Sequence, residues 1–433
     1  MYSVKKLPGR PKDINVCCPS VKVGNKYINP WPSSKNRSKS HFWETFFRVA
    51  TRRSFKKLPE KDFVKVDVNL EAINSYIEKE KDIALQLIWF GHAAALLQIN
   101  GFNILFDPLL TFRASPFKFI GHYRYRKRGF KSFSQLPQID VLVISHNHYD
   151  HLDKRAIKEM FKEKKNKNLH IFCPIGLKKW FLKRFDLLNS QITEGDWWDD
   201  FKIVKNESDN SFKETMHYIS KVDSSLSISS MFGNSSNAIS IPFEIENEYE
   251  KKSLNVSFVP AQHSSRRTLF DGNKTLWGGW VIKSQYASFY FAGDTGYRAI
   301  PENCSNEERL KYPYCPVFTQ IGNIHGPFDL ACIPIGPSND TNEVTKVHVD
   351  PTDAINIHKD IKSKRSIPIH WGTVANFCTI EVTHDPKVLR REMEKSGLPL
   401  EEFNIAYIGQ VIKILKSETI ISKEHQFYQI HEE

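Results

Sequence analysis

A sheet-based α/β fold is expected from three observations. Short apolar runs of strand length recur along the chain. Helix-like stretches separate some of them. The composition, 40% hydrophobic and 25% charged over 433 residues, is that of a globular protein. This balance excludes a wholly disordered chain and a collagen-like fibre. No window reaches the roughly 18 consecutive apolar residues that a membrane-spanning helix needs. The stretch Met1 to Pro8 has charge but no apolar core after it, so it does not read as a secretory signal. Seven Cys at irregular spacing fit neither a disulfide framework nor paired CxxC zinc motifs. Reduced thiols in a cytosolic compartment are therefore expected.

The elements follow in order. Leu85 to Phe90, Ala94 to Ile99 and Asn103 to Phe106 read as short strands, with turns at Gly91-His92 and Asn100-Gly101. The apolar run 140–145 has the length of a buried strand. Further runs are His170 to Cys173, Val256 to Val259, Trp280 to Ile282, Ser288 to Ala292, Asp329 to Ile335 and Ser366 to Ile369. Lys154 to Lys165 and Leu177 to Phe185 read as helices. Pro351 to Ser363 is a third, opening on a proline where helices tolerate one. Residues 203–253 break the pattern, being rich in Ser, Asn, Lys and Glu, and are expected to form a surface insertion.

Charge divides the chain unevenly. Residues 1–60 hold fourteen Lys or Arg against three acids, whereas the whole chain carries +12. The expected organisation is a basic N-terminal extension over 1–83 and a folded α/β domain over 84–433, which the motifs below mark as the catalytic one. The arm also carries Trp31, Phe42, Trp43, Phe46, Phe47 and Phe55. Basic and aromatic residues together suit an anionic membrane surface. They would also suit single-stranded nucleic acid, or the aromatics could dock on the protein's own core.

Chemistry concentrates in Ser145-His146-Asn147-His148-Tyr149-Asp150-His151, directly after the run 140–145. Three imidazoles and a carboxylate within six residues at a strand end point to metal binding. Side chains alternate in an extended segment, which places His146 and His148 on one side. Three partners also follow strands: His263 in Val-Pro-Ala-Gln-His, Asp294 in Gly-Asp-Thr-Gly, and His370 in Ile-Pro-Ile-His-Trp-Gly.

An HxHxDH cluster, a single His, an Asp in a Gly-Asp-Thr-Gly turn and a final His resemble the metallo-β-lactamase superfamily. That resemblance implies an αββα sandwich with two divalent metal ions, zinc in most members, at one edge. It implies His146, His148 and His263 on one metal, Asp150, His151 and His370 on the other, and Asp294 bridging. Longer pieces narrow the likeness: Asn29-Pro30-Trp31-Pro32, Trp89 to Ala93, His263 to Arg267, Leu276-Trp277-Gly278, Phe291 to Tyr297, Gly326 to Ala331, His348 to Pro351 and Ile369 to Thr373. These are similar to the N-acylphosphatidylethanolamine-hydrolysing phospholipase D family, from about Asn29 to about residue 415. The insertion departs from that pattern, as does the polar stretch 337–346.

The resemblance implies hydrolysis of N-acylphosphatidylethanolamine to phosphatidic acid and N-acylethanolamine, by a metal-bridging hydroxide attacking phosphorus. Asp150 and Asp294 would act as catalytic ligands, and His348 resembles the family's substrate-side histidine. Asp107 and Asp153 are expected to accept hydrogen bonds from ligating imidazoles, and His92 is either such a partner or structural. Expected partners are the phospholipid, an anionic membrane reached through the arm, and a second copy of the chain in a homodimer; nucleic acid is not expected. The expected location is cytoplasmic and peripheral to a membrane. A hydrolase of the same fold acting on another phosphodiester or a lactone is the alternative.

Overall fold

The computed structural model describes residues 2–10, 13–34, 67–76, 82–117, 119, 121–125, 127–206, 252–301, 304–338, 343–375 and 381–416. Fourteen strands make two seven-stranded sheets. In chain order they are β1 (Tyr2–Lys6), β2 (Ile83–Gly91), β3 (Ala94–Ile99), β4 (Phe102–Phe106), β5 (Val141–Val143), β6 (His170–Pro174) and β7 (Ile192–Gly195). Then come β8 (Asp199–Lys205), β9 (Ser253–Val259), β10 (Gly279–Lys283), β11 (Ser288–Phe291), β12 (Leu330–Pro334), β13 (Ser366–Ile369) and β14 (Val411–Leu415). One sheet has the order β7-β6-β5-β4-β3-β2-β14, the other β1-β8-β9-β10-β11-β12-β13.

Alternation along the strands builds the layers. On β3, Ala95, Leu97 and Ile99 join the core between the sheets, while Ala94 and Leu96 face a second core. The inter-sheet core is aromatic: Phe106 of one sheet lies 4.7 Å from Phe291 of the other, and Phe172 5.8 Å from Trp280. The outer core is closed by α1 (Lys154–Lys162) through Ile157 and Met160. On the other sheet, α2 (Val317–Ile324) and α3 (Pro351–Asp360) bury Phe318, Ile321 and Ile357. A further helix, α4 (His384–Ser396), follows α3 and ends on Gly397 in the left-handed conformation. The result is the expected αββα sandwich. The turn at Asn100-Gly101 has positive φ at both residues, as a tight hairpin between β3 and β4 requires.

Two expectations change. Residues 2–10 and 13–34 take part in the sandwich. β1 pairs antiparallel with β8, from Tyr2↔Lys205 to Lys6↔Phe201. Trp31 is 3% exposed and stacks 5.5 Å from Trp197. The arm aromatics from Phe42 to Phe55 lie outside the described residues. The insertion begins later and ends earlier than 203–253, because β8 and β9 pair as far as Val204↔Ser253; residues 207–251 lie outside the described set. All six described cysteines are free. Among the described residues no helix is long and apolar enough to cross a membrane.

Candidate metal centre

Strand direction gathers the site. β4, β5 and β6 are parallel, as are β11, β12 and β13, and β9 runs the same way as β11 through two antiparallel pairings. The loops leaving β5, β9, β11 and β13 therefore share one edge and deliver His146 to His151, His263, Asp294 and His370 to it.

Two donor groups meet there. His146, His148, His263 and Asp294 place ligand atoms within 4.8 Å of one another, and so do Asp150, His151, His370 and His92. Asp294 stands between them. Its Oδ2 is 3.6 Å from His263 Nε2, 3.8 Å from His146 Nε2 and 3.1 Å from His151 Nε2, and its Oδ1 is 3.1 Å from His370 Nε2. His146 Nε2 faces His148 Nδ1 at 2.8 Å, and His263 Nε2 faces the same atom at 3.2 Å. Facing ring nitrogens need a proton or a cation between them. His151 Nε2, Asp294 Oδ1 and His348 Nδ1 are buried without a hydrogen-bond partner. Orphaned buried donors and acceptors of this kind are rare and call for an ion. Imidazoles with carboxylates suit zinc, iron or manganese.

The shell around the donors sets their orientation. Asp107 takes Ser145 N at 2.8 Å, the Ser145 hydroxyl, and His151 Nδ1 at 2.7 Å. His263 Nδ1 bonds Val347 O at 2.8 Å, and His370 Nδ1 bonds Gly336 O at 2.9 Å. Each contact fixes which ring nitrogen faces inward. His92 Nε2 lies 2.9 Å from Asp150 Oδ2, so His92 orients that carboxylate. Asp153, expected to be an imidazole's partner, is not one. It caps α1 by accepting from Arg155 N at 3.0 Å and Ala156 N at 3.2 Å, and takes Thr111 N at 2.9 Å. Gly293 has φ +62°, and a Cβ there would lie 2.7 Å from the Ser145 Cβ, so the Asp294 turn needs glycine.

The comparisons agree with this geometry. The Beta-lactamase superfamily domain matches residues 102–371. The N-acyl-phosphatidylethanolamine-hydrolyzing phospholipase D 1 of Caenorhabditis elegans is 30% identical over 82% of this chain and 82% of that protein. The chain belongs to the N-acylphosphatidylethanolamine-hydrolysing phospholipase D family. The mitochondrial enzyme of that name in Saccharomyces cerevisiae is 25% identical over 66% of this chain, which spans 47% of it. A metal-dependent hydrolase of Methanopyrus kandleri is 24% identical over 73% of this chain and 95% of its own length. The chain is thus a metal-dependent hydrolase of the metallo-β-lactamase fold.

The role of one residue in the stretch His263 to Arg267 escaped sequence reasoning. Arg267 Nη1 donates to Asn147 O at 3.0 Å and Leu152 O at 2.9 Å, and its guanidinium lies 4.0 Å from the Tyr149 ring centre. It braces the HxHxDH loop from outside. Arg267→Ala is expected to weaken metal retention about tenfold, the order found for groups that orient ligands, read by competition with a chelator.

Electrostatics in the metal-free state are two-sided. Burial lowers His92 and His148 to about 3, with His370 and His263 respectively adding to it. Burial also opposes charge on His370, but Asp294 and Asp150 outweigh it and raise that ring to about 9. Burial opposes the ionised Asp294, yet His151 and His370 hold it well below the usual carboxylate range. The lowered histidines stabilise the fold above the unfolded value of 6.5, and that contribution fades as pH falls toward 3. The raised His370 stabilises it below 6.5, and this is lost as pH climbs through 9. Metal-free protein is therefore expected to be most stable near pH 6.5, with urea midpoints falling on both sides.

Proposed function

We propose that the protein hydrolyses N-acylphosphatidylethanolamine to phosphatidic acid and an N-acylethanolamine. The observation that carries this reading is the pair of donor groups sharing Asp294, in a chain 30% identical over 82% of its length to a C. elegans protein named for that activity. His146, His148 and His263 would hold one divalent ion, Asp150, His151 and His370 a second, with Asp294 bridging and zinc the ion expected. Bound there, the ions would supply a water of lowered pKa and a Lewis-acid hold on phosphate.

The chain's own groups do the positioning. Asp294 and Asp150 each face several donors and fix their spacing. His92 holds Asp150, and Asp107 holds His151. His348 lies on the same edge, with Nδ1 3.9 Å from Asp294 Oδ2 and its ring 5.2 Å from that of His370. Burial keeps its pKa well below the ordinary value, so it is neutral at pH 7. A neutral imidazole can steer the leaving ethanolamide oxygen by hydrogen bonding without competing as a cation for the site. His348→Gln is expected to lower kcat by about 10²- to 10³-fold while metal content stays that of the native protein. Loss of metal instead would reassign His348 to the ligand set.

The basic arm is proposed to hold the enzyme at an anionic membrane on the cytoplasmic side, and the active form to be a homodimer. The substrate is tested with purified, metal-counted protein in mixed micelles of N-acylphosphatidylethanolamine, beside phosphatidylcholine and a generic phosphodiester. Release of N-acylethanolamine and phosphatidic acid, abolished by chelation, is the expected result. Hydrolysis of the generic diester alone would overturn the substrate and leave the hydrolase.

A further inference from the structure

We propose that two loops bracing the metal-bearing segment form a docking face for an anionic phospholipid bilayer. The first is residues 264–275, where Leu269 is 77% and Phe270 83% exposed. The loop is firmly bonded to itself. Asp271 Oδ1 accepts from Arg267 N at 2.9 Å and Thr268 N at 2.7 Å. Asn273 Oδ1 accepts from Ser265 N at 3.1 Å, and Ser265 O accepts from Asn273 N at 2.7 Å. Its apolar tip is therefore held out in water by the loop's own framework.

The second loop, residues 108–117, exposes Phe112 at 58% and Phe117 at 63%. It is fastened by Thr111 N to Asp153 Oδ2 at 2.9 Å and by Arg155 Nη2 to Arg113 O at 2.5 Å. Arg267 fastens the first loop to Asn147 and Leu152. Both loops thus anchor on 147–155, the stretch that carries His148, Asp150 and His151.

Charge says what covers them. Residues 108–139 contain no acid; Arg113 lies 5.5 Å from the Phe112 ring centre, and Lys127 and Lys131 are exposed, whereas Arg124 is buried and Arg128 pairs with Glu159. Residues 264–275 add the exposed Arg266 and Lys274 against one acid, Asp271, whose Oδ1 is occupied by backbone amides; Arg267 is turned inward as the brace. Apolar tips set among cations are the chemistry that inserts at the surface of an anionic bilayer. Leu269 has no ring to stack on a base, which favours lipid over single-stranded nucleic acid. The choice of a bilayer rests on the lipid-substrate reading above, and docking here would present a lipid phosphate to donors on the same stretch of chain.

The test uses the full chain and sedimentation with phosphatidylcholine vesicles, with and without phosphatidylserine. Two double variants are compared, Leu269→Ser with Phe270→Ser, and Phe112→Ser with Phe117→Ser. Each is expected to lose about tenfold or more of its partition onto anionic vesicles, while cleavage of a water-soluble phosphodiester is unchanged. In Phe270→Trp the added emission is expected to shift to the blue on vesicles, which reports insertion without removing the side chain. Unchanged partition in both double variants, or no shift, overturns the proposal. Retention of single-stranded RNA in place of vesicles overturns it in favour of nucleic acid, and variant-dependent dimerisation in favour of self-association. Vesicle binding that depends on these residues in a protein unable to cleave N-acylphosphatidylethanolamine supports the docking face and sinks the substrate reading.

Discussion

Replacing Asp294 by Asn is expected to lower kcat by about three orders of magnitude and to loosen both proposed metal positions together. The carboxylate is 3% exposed and lies within 4 Å of His146, His151, His263, His348 and His370. An amide keeps the shape and removes the charge that these imidazoles share. Three decades of rate correspond to about 4 kcal/mol of transition-state stabilisation. The measurement is kcat and metal stoichiometry on the same preparation. An Asp294→Asn protein that is both fully metallated and fully active would refute the shared-ligand reading.

Asp107→Ala is expected to be the most damaging change outside the proposed ligands. Asp107 is fully buried and binds Ser145 twice and His151 Nδ1 once. It therefore ties the end of β5 to the ring that faces Asp294. The residue sits at φ +35°, and His92 and His370 are also in the left-handed region, at +55° and +63°. Backbone of this kind persists only where its surroundings over-determine it. Without the carboxylate, metal affinity is expected to fall about 10- to 100-fold. Stability is expected to fall by about 3–5 kcal/mol, because His151 is left buried without its partner. Chelator competition and urea unfolding of the metal-free protein read the two effects separately. Retention of native affinity in Asp107→Ala would show that His151 is oriented by the backbone alone.

The site was more legible in the sequence than the sheet edges were. His146, His148, Asp150 and His151 are crowded into one stretch, and His263, Asp294 and His370 each follow an apolar strand, so residue type and position point the same way. The structure brings all seven to one edge. Arg267 left no such mark because its acceptors are backbone carbonyls, which no residue type reveals. Asp153 misled through nearness to His151, although an Asp just before the run Lys154-Arg155-Ala156-Ile157 carries the ordinary signal of a helix cap. β1 was hidden by charge. Tyr2 and Val4 are half-buried while Lys5 and Lys6 are exposed, and five residues with three polar side chains read as part of a basic arm. Its strand character comes from β8, two hundred residues away. β14 is similar: its alternating burial is clear only once β2 lies beside it.

The place of β1 bears on how this protein can be trimmed. Cutting the chain at residue 84, where the basic arm and its neighbours end, would also strip the strand that covers β8. A row of peptide donors and acceptors would then face solvent along β8, free to recruit the same row on another molecule. Trp197 would lose the ring of Trp31, and His263 O the amide of Asn29. Such a truncated protein is expected to precipitate or form soluble clumps. Its failure would come from an uncapped sheet, whatever the arm does at a membrane.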